Sequence, residues 1–340
     1  MTGDFMGATL TEDDALVLLA AGSAPSVHNS QPWQFSLDGS HLLLSADPDR
    51  ALWVSDPTAR ALYLSCGAAL FSARVALLAL GYQPRVRLLP HPEYPFRVLA
   101  VIDAASGRPP TPAERELYEA LWRRRTNRRP FSDKPVPPAV FAKLRHAAAQ
   151  ERASLRVLDK RDGTRVLNLA RAASRQLSAN VAHQAELRQW IVSSQEADVP
   201  ADEQPYGIPL DALPLQPDRI PSPVRDSDFL SAAPEERPRA AYEQFPQVAV
   251  LSTENDEPED WLRAGQALQH VLLVATASGL SASFLYQLVS RDDMHEAESP
   301  WWPWPENRQM IIRFGYGEPP VPVPRRSLAD IMPEFRELWT

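Results

Sequence analysis

The sequence predicts an α+β protein built from two related halves, and three observations carry that expectation. Gly67-Ala68-Ala69-Leu70 opens an apolar helix that closes at Gly81, and Gly265-Gln266-Ala267-Leu268 opens another that closes at Gly279 with the same glycine spacing. Each follows a strand with an acidic end, Leu42 to Asp47 and Val248 to Asp256, and precedes a later strand, so the order of elements repeats. Trp33 to Leu37 and His41 to Ser45 alternate apolar and polar residues around Asp38-Gly39, the pattern of a β-hairpin. Long helices rich in Gly, Ala and Ser pack closely, which places the two copies at a central interface.

The remaining elements follow in chain order. Thr11-Glu12-Asp13-Asp14 caps a first helix that Gly22 stops. Ala61 to Tyr82 is a long helix and Phe96 to Ile102 a strand. Thr111-Pro112-Ala113-Glu114 is a capping box with proline at the first helical position, and it marks the boundary between residues 1–110 and 111–340. A helix from Pro138 to about Gln150, a strand from Ser154 to Leu158 and a helix from Gly163 to Val192 come next. Residues 193–246 are rich in proline and acids and are expected to form a partly ordered lid or wrapping arm. The strand Gln247 to Leu251, the helix Trp261 to Gly279 and the strand Gln309 to Phe314 complete the reading.

Composition excludes several function classes. A net charge of −8 over 340 residues argues against nucleic acid or an anionic membrane as partner. The single cysteine, Cys66, allows neither a disulfide framework nor a thiolate metal site, and the seven histidines lack metal-ligand spacing. Nucleotide-binding and hydrolase signatures such as G-x-G-x-x-G, G-x-x-x-x-G-K-[ST] and G-x-S-x-G are absent. Arg74 inside the apolar run from Ala61 to Tyr82 favours a buried helix over a membrane span. No secretion signal opens the sequence, and a cytoplasmic enzyme is the expectation.

Two segments carry more polar capacity than a connector needs. The loop Ala24-Pro25-Ser26-Val27-His28-Asn29-Ser30-Gln31-Pro32-Trp33 reads either as a turn stabilised by its own side chains or as the lining of a flat, polar-edged ligand site. His28 in it reads as a hydrogen-bonding partner rather than a general base. Arg123 to Arg129 holds five arginines in seven residues. They complement a helix C-terminus or, together with Arg325-Arg326, converge on a phosphate.

The same residues resemble a known family. The loop is similar to the A-P-S-x-x-N-x-Q-P-W segment of FMN-dependent nitroreductases, Arg124-Arg125-Thr126-Asn127-Arg128-Arg129-Pro130-Phe131 to their R-R-S-x-R-x-F motif, and Ala282 to Gln287 to the loop beneath their flavin ring. In an ordinary nitroreductase the arginine motif comes first. Here the order is reversed and each motif appears once, which resembles the Acg branch, a single chain similar to a fused nitroreductase dimer. The resemblance implies two pseudo-symmetric α/β halves, mainly antiparallel sheets packed around long central helices, and one FMN site between the halves. It implies Arg124, Arg125, Thr126 and Arg325 or Arg326 at the FMN phosphate, and Pro25, Ser26, Asn29 and Gln31 reaching ring and ribityl from the opposite half. It further implies Arg128 near the N1/O2 edge, Phe284, Leu285 and Gln287 around the ring, and the backbone N–H of Tyr286 toward N5. No side chain need be catalytic and no metal is implied. The implied activity is hydride transfer from NAD(P)H to a nitroaromatic, quinone or similar acceptor by a ping-pong mechanism. A flavin-binding protein without turnover and a flavin oxidase or dehydrogenase of peptide heterocycles are the alternatives. A monomer acting as a pseudo-dimer is expected, with a homodimer as the alternative.

Overall fold

The computed structural model describes residues 11–38, 41–94, 96–192, 206–214, 238–286 and 305–333. Helix α1 (Glu12–Gly22) starts at the expected capping box, Thr11 and Asp14 each bonding the other's backbone N–H. Strands β1 (Trp33–Asp38) and β2 (His41–Ala46) pair antiparallel with Trp33 opposite Ala46; Gly39 of the expected turn lies outside the described residues. Helix α2 (Arg60–Ala79) ends earlier than the apolar run suggests, and Gly81, at φ +89°, turns the chain. There a strand not expected from the sequence begins, β3 (Tyr82–Leu88). Its arginines and Pro84 conceal it, and they are tolerated because β3 is the edge of its sheet. Strand β4 (Ala100–Ser106) starts four residues later than expected, because turn bonds from Tyr94 to His91 and from Arg97 to Tyr94 fold the preceding segment.

Next, α3 (Pro112–Arg123) has the expected capping box between Thr111 and Glu114, and α4 (Pro138–Gln150) and β5 (Ser154–Val157) follow. The helix expected over 163–192 is two, α5 (Lys160–Ser178) and α6 (Val181–Arg188), because Asn180 accepts from the His183 N–H and caps a new start. Strands β6 (Ile191–Val192) and β7 (Ile208–Pro209) form a short parallel pair. Then come β8 (Gln247–Thr253), α7 (Pro258–Ala277), β9 (Ser281–Phe284), β10 (Asn307–Gly315) and α8 (Leu328–Ile331). Parts of 193–246 are described, at 206–214 and 238–246, and both pieces pack against the body of the protein.

The architecture is α+β, as expected. The first sheet runs β1-β2-β4-β3 and the second β5-β8-β10-β9, each antiparallel throughout, with a 20-residue helix between its second and third strands in chain order. These two helices, α2 and α7, meet through glycine. A Cβ on Gly67 would lie 2.2 Å from the Leu262 carbonyl oxygen, and one on Gly265 would lie 2.1 Å from that of Leu64. Further along, Phe71 stacks on His270 at 4.7 Å and Ser72 accepts a hydrogen bond from Gln269 at 2.9 Å. The contacts are reciprocal, as in an isologous dimer interface. Helix α2 is long and apolar enough to cross a membrane, yet 89% of that stretch is buried in the fold.

Candidate functional site

The loop from Ser23 to Trp33 is strained and held. His28, Asn29 and Gln31 have φ of 53°, 58° and 51°, a left-handed conformation that costs an L-residue about 1–2 kcal/mol. The surroundings over-determine it. The Gln31 N–H donates to Ser26 Oγ at 2.9 Å. Asn29 Nδ2 donates to the carbonyls of Gly207 and Pro324 at 3.0 and 2.9 Å, and its Oδ1 accepts from Arg325 at 2.5 Å. Gln31, wholly buried, accepts from the Arg326 N–H at 2.9 Å and donates to the Asn29 carbonyl. Strain of this kind, fixed by contacts from distant segments, is characteristic of functional loops.

The arginines divide into two kinds. Arg326 donates to the Gln31 and Trp33 carbonyls, both at 2.9 Å, and pairs with Asp47 at 3.1 Å; it clamps the loop. Arg125 turns back to the carbonyls of Trp122 and Arg124, at 3.2 and 2.7 Å, and caps the end of α3. Arg124 and Arg325 are different. Their guanidinium groups meet at one atom, the Ser23 carbonyl oxygen, at 2.9 and 3.0 Å. Arg124 is 2% exposed and its Nε has no partner among the described residues. Burial, then the positive charges of Arg325, Arg125 and Arg128, lower its pKa well below the usual guanidinium value. Burial and Arg125 push Arg325 down to about 9. No carboxylate offsets either shift among the described residues. Of the two C-terminal arginines expected at a phosphate, Arg325 joins the cluster and Arg326 does not.

The arginine segment is fixed in turn by strand β9. Thr126 bridges to Ala282, the Asn127 N–H donates to the Ala282 carbonyl at 2.8 Å, and Asn127 Nδ2 donates to Ser281 Oγ at 3.2 Å, so the arginine segment is stitched to β9. Pro25 is buried, and Val27 packs against the core that contains Phe284 and Tyr286. Leu285 is buried in the neighbouring core, while Gln287 lies outside the described residues. The Tyr286 hydroxyl donates to Asp56 at 2.9 Å; burial raises the pKa of both. His28 is pushed down to about 3 by burial, then by His183 and Arg128, and is neutral at working pH. The structure brings Ser23 and Asn29 of the loop together with Arg325, and Ser23 with Arg124, while Arg128 is near enough to act on the Arg124 charge.

Several participants escape sequence reasoning. Ser23 acts through its backbone carbonyl, which carries no residue signature. The wholly internal pair Arg313–Glu243, at 2.9 Å and with side chains 1% and 3% exposed, fixes the arginine segment from behind. Glu243 accepts from the Phe131 N–H at 2.9 Å, and Arg313 donates to the Arg129 carbonyl at 2.7 Å. Glu243 sits in the proline-rich stretch, where nothing marks it.

This geometry meets a family assignment. Residues 121–316 match the model of the Nitroreductase family. The chain is 31% identical over 334 residues to "Putative NAD(P)H nitroreductase Rv3131" of Mycobacterium tuberculosis, covering 95% of this chain and 91% of that protein. It is 30% identical over 315 residues to "Putative NAD(P)H nitroreductase acg" of the same species, covering 91% of each. The chain belongs to the nitroreductase family. Among solved structures it is similar to the FMN-dependent nitroreductase NfnB from Mycobacterium smegmatis in complex with NADPH, at 19% identity and a TM-score of 0.38 over 64% of this chain and 96% of that one.

Proposed function

We propose that this protein is an FMN-dependent oxidoreductase that takes hydride from NAD(P)H and passes it to a nitroaromatic, quinone or similar acceptor. The observation that carries the reading is the Arg124–Arg325 pair on the Ser23 carbonyl, two desolvated cations with no carboxylate among the described residues and an orphaned Nε. Buried charge of one sign requires an opposite charge, and guanidinium forks match phosphate oxygens. These residues fit the FMN phosphate, and Thr126, two residues from Arg124 and bridged to Ala282, would add its hydroxyl. The names of the M. tuberculosis relatives support NAD(P)H as reductant.

When bound, FMN supplies the hydride transfer itself. The chain supplies binding and orientation. Arg124 and Arg325 neutralise the phosphate, Ser26 and Pro25 face the flavin from the first half, and Arg128 keeps a cation near the ring. Phe284, packed on the same core as Val27, would offer the ring an apolar contact, and the Tyr286–Asp56 bond would hold the segment whose Tyr286 N–H would serve the flavin, while Leu285 packs into the neighbouring core. Asn29, Gln31 and Arg326 position the loop, because their side chains are engaged within the protein. The matched strand orders and the reciprocal contacts of α2 and α7 support residues 1–110 and 111–340 as two nitroreductase-like halves.

The test is an absorbance spectrum. The purified protein, or the protein reconstituted with FMN, is expected to be yellow, to release FMN on denaturation and to bleach with NADPH, with parallel double-reciprocal plots for a ping-pong mechanism. Protein that takes up no FMN overturns the reading. Bound FMN that neither NADH nor NADPH reduces would show a flavin-binding protein without turnover.

A further inference from the structure

A cleft of about 740 Å³ opens beside the arginine cluster and is not part of the phosphate site. Its lining includes Arg129, Pro130, Pro214, Pro238, Arg239 and Tyr316. Arg128 belongs to the cluster and Arg129, the next residue, to the cleft, so the two sites share one short segment.

The cleft is built rather than left over from loose packing. One wall, residues 129–132, is fixed by the bond from the Ser132 N–H to the Tyr316 carbonyl, at 2.7 Å, and by that from the Phe131 N–H to Glu243. The opposite wall, 238–240, is anchored a few residues on by Glu243 on Arg313 and by the Tyr242 hydroxyl on the Arg128 carbonyl, at 2.8 Å. Phe131 is wedged against Gly315 and Gly317, where added Cβ atoms would lie 2.6 and 2.9 Å from its ring, and Arg313 stacks on it at 3.9 Å. A site whose walls are tied to a buried ion pair is pre-formed, and its volume lies in the range of small-molecule sites.

Its charge runs against that of the chain. In a protein of net charge −8, the cleft presents Arg129 and the exposed Arg239, with Lys134 Nζ 4.4 Å from the ring centroid of Tyr316. The lining acid is Glu318, 3.5 Å from Arg129 and 82% exposed, and a surface pair of that kind contributes little and leaves the arginine available. Two guanidinium groups, an aromatic ring and proline faces suit an anion attached to a flat heterocycle.

We infer that this cleft holds the 2′-phosphoadenosine end of NADPH, with Arg129 and Arg239 on the 2′-phosphate and Tyr316 and the prolines against adenine. The inference rests on the oxidoreductase reading, and it makes these two arginines the determinants of NADPH over NADH, since NADH lacks the phosphate they bind.

Titration of the full chain with 2′-AMP tests it without any turnover. Saturable binding is expected, with 5′-AMP weaker by about tenfold, and R239A and R129A are each expected to weaken 2′-AMP by about tenfold, the loss of one charge-assisted phosphate contact. Arg239 is exposed, so R239A folds, and R239E is expected to abolish binding. In the FMN-loaded enzyme the same variants lower the ratio of kcat/KM for NADPH to that for NADH while FMN affinity stays unchanged. The inference is overturned if 2′-AMP does not saturate, or binds R239A and R129A as it binds the unsubstituted protein. Saturable, arginine-dependent binding of 2′-AMP to a protein that binds no FMN would instead overturn the oxidoreductase reading and leave the cleft standing.

Discussion

Replacing Arg124 with methionine, which conserves the stem and removes the charge, separates an anion-binding arginine from a structural one. Among the described residues the Arg124 side chain donates only to the Ser23 carbonyl, and that carbonyl, 3.0 Å from Arg325, keeps Arg325 as a donor after the substitution. What is lost is a desolvated cation beside Arg325, Arg125 and Arg128, whose repulsion already lowers the Arg124 pKa. The FMN-free protein is therefore expected to keep its Tm or to gain slightly. The FMN complex loses the Arg124 phosphate contact, a charge-assisted bond contributing about 1.5–3 kcal/mol. At 1.4 kcal/mol per decade this weakens FMN binding by a factor of about 10–150. Titration by quenching of flavin fluorescence reads the affinity, and thermal unfolding with and without FMN reads the two stabilities. Unchanged FMN affinity refutes the phosphate role. A marked fall in Tm of the FMN-free protein refutes the claim that the charge is uncompensated.

Gly265→Ala places a Cβ 2.1 Å from the Leu64 carbonyl oxygen and forces α2 and α7 apart, so denaturant unfolding should show a loss of about 3 kcal/mol or more; a loss within the usual range of exposed helix substitutions would contradict the helix contact. Glu243→Gln removes the carboxylate paired with the buried Arg313, and a destabilisation of about 3–5 kcal/mol is expected by the same measurement. His28 titrates at about 3 in the folded chain against 6.5 unfolded. Between those values the unfolded chain binds the extra proton, so stability falls as pH drops below 6.5. His28→Asn, which tolerates positive φ, is expected to make that fall shallower by up to about 1.4 kcal/mol per pH unit. Parallel pH–stability curves for the two proteins would show that His28 takes up its proton as readily in the fold as in the unfolded chain.

What could be read from the sequence was whatever is settled locally. Capping boxes at Thr11 and Thr111 set helix starts through contacts three residues apart, and both stand where they were expected. The glycine spacing of the two long helices reported an interface because a close crossing admits little besides glycine. β3 was hidden because an edge strand accepts the charges and proline that a central strand rejects. The break at Asn180 was missed because α5 and α6 together look like one polar-apolar helix, and only the bond of Asn180 to the His183 N–H shows a new cap. Arg325 and Arg326 are indistinguishable as letters. One residue of separation turns the first toward Ser23 and Asn29 and the second toward Gln31, Trp33 and Asp47, and that difference is tertiary.

The Ser23 carbonyl draws arginines from two distant parts of the chain to one point. It stands at the C-terminal end of α1, where helix carbonyls are unsatisfied and the helix dipole is negative, so it draws cations. Arg124 arrives from the end of α3 and Arg325 from the segment before α8, and each donates one Nη2 there. That bond fixes a guanidinium without neutralising it, because a carbonyl oxygen has no formal charge. A carboxylate at the same position would orient the arginines equally well and cancel them. On the proposed reading, a backbone acceptor holds the two forks in register and leaves their charge, with the Arg124 Nε that has no partner among the described residues, for the FMN phosphate. On that reading the 23–33 loop contributes aim and the arginines charge, and neither makes the site alone.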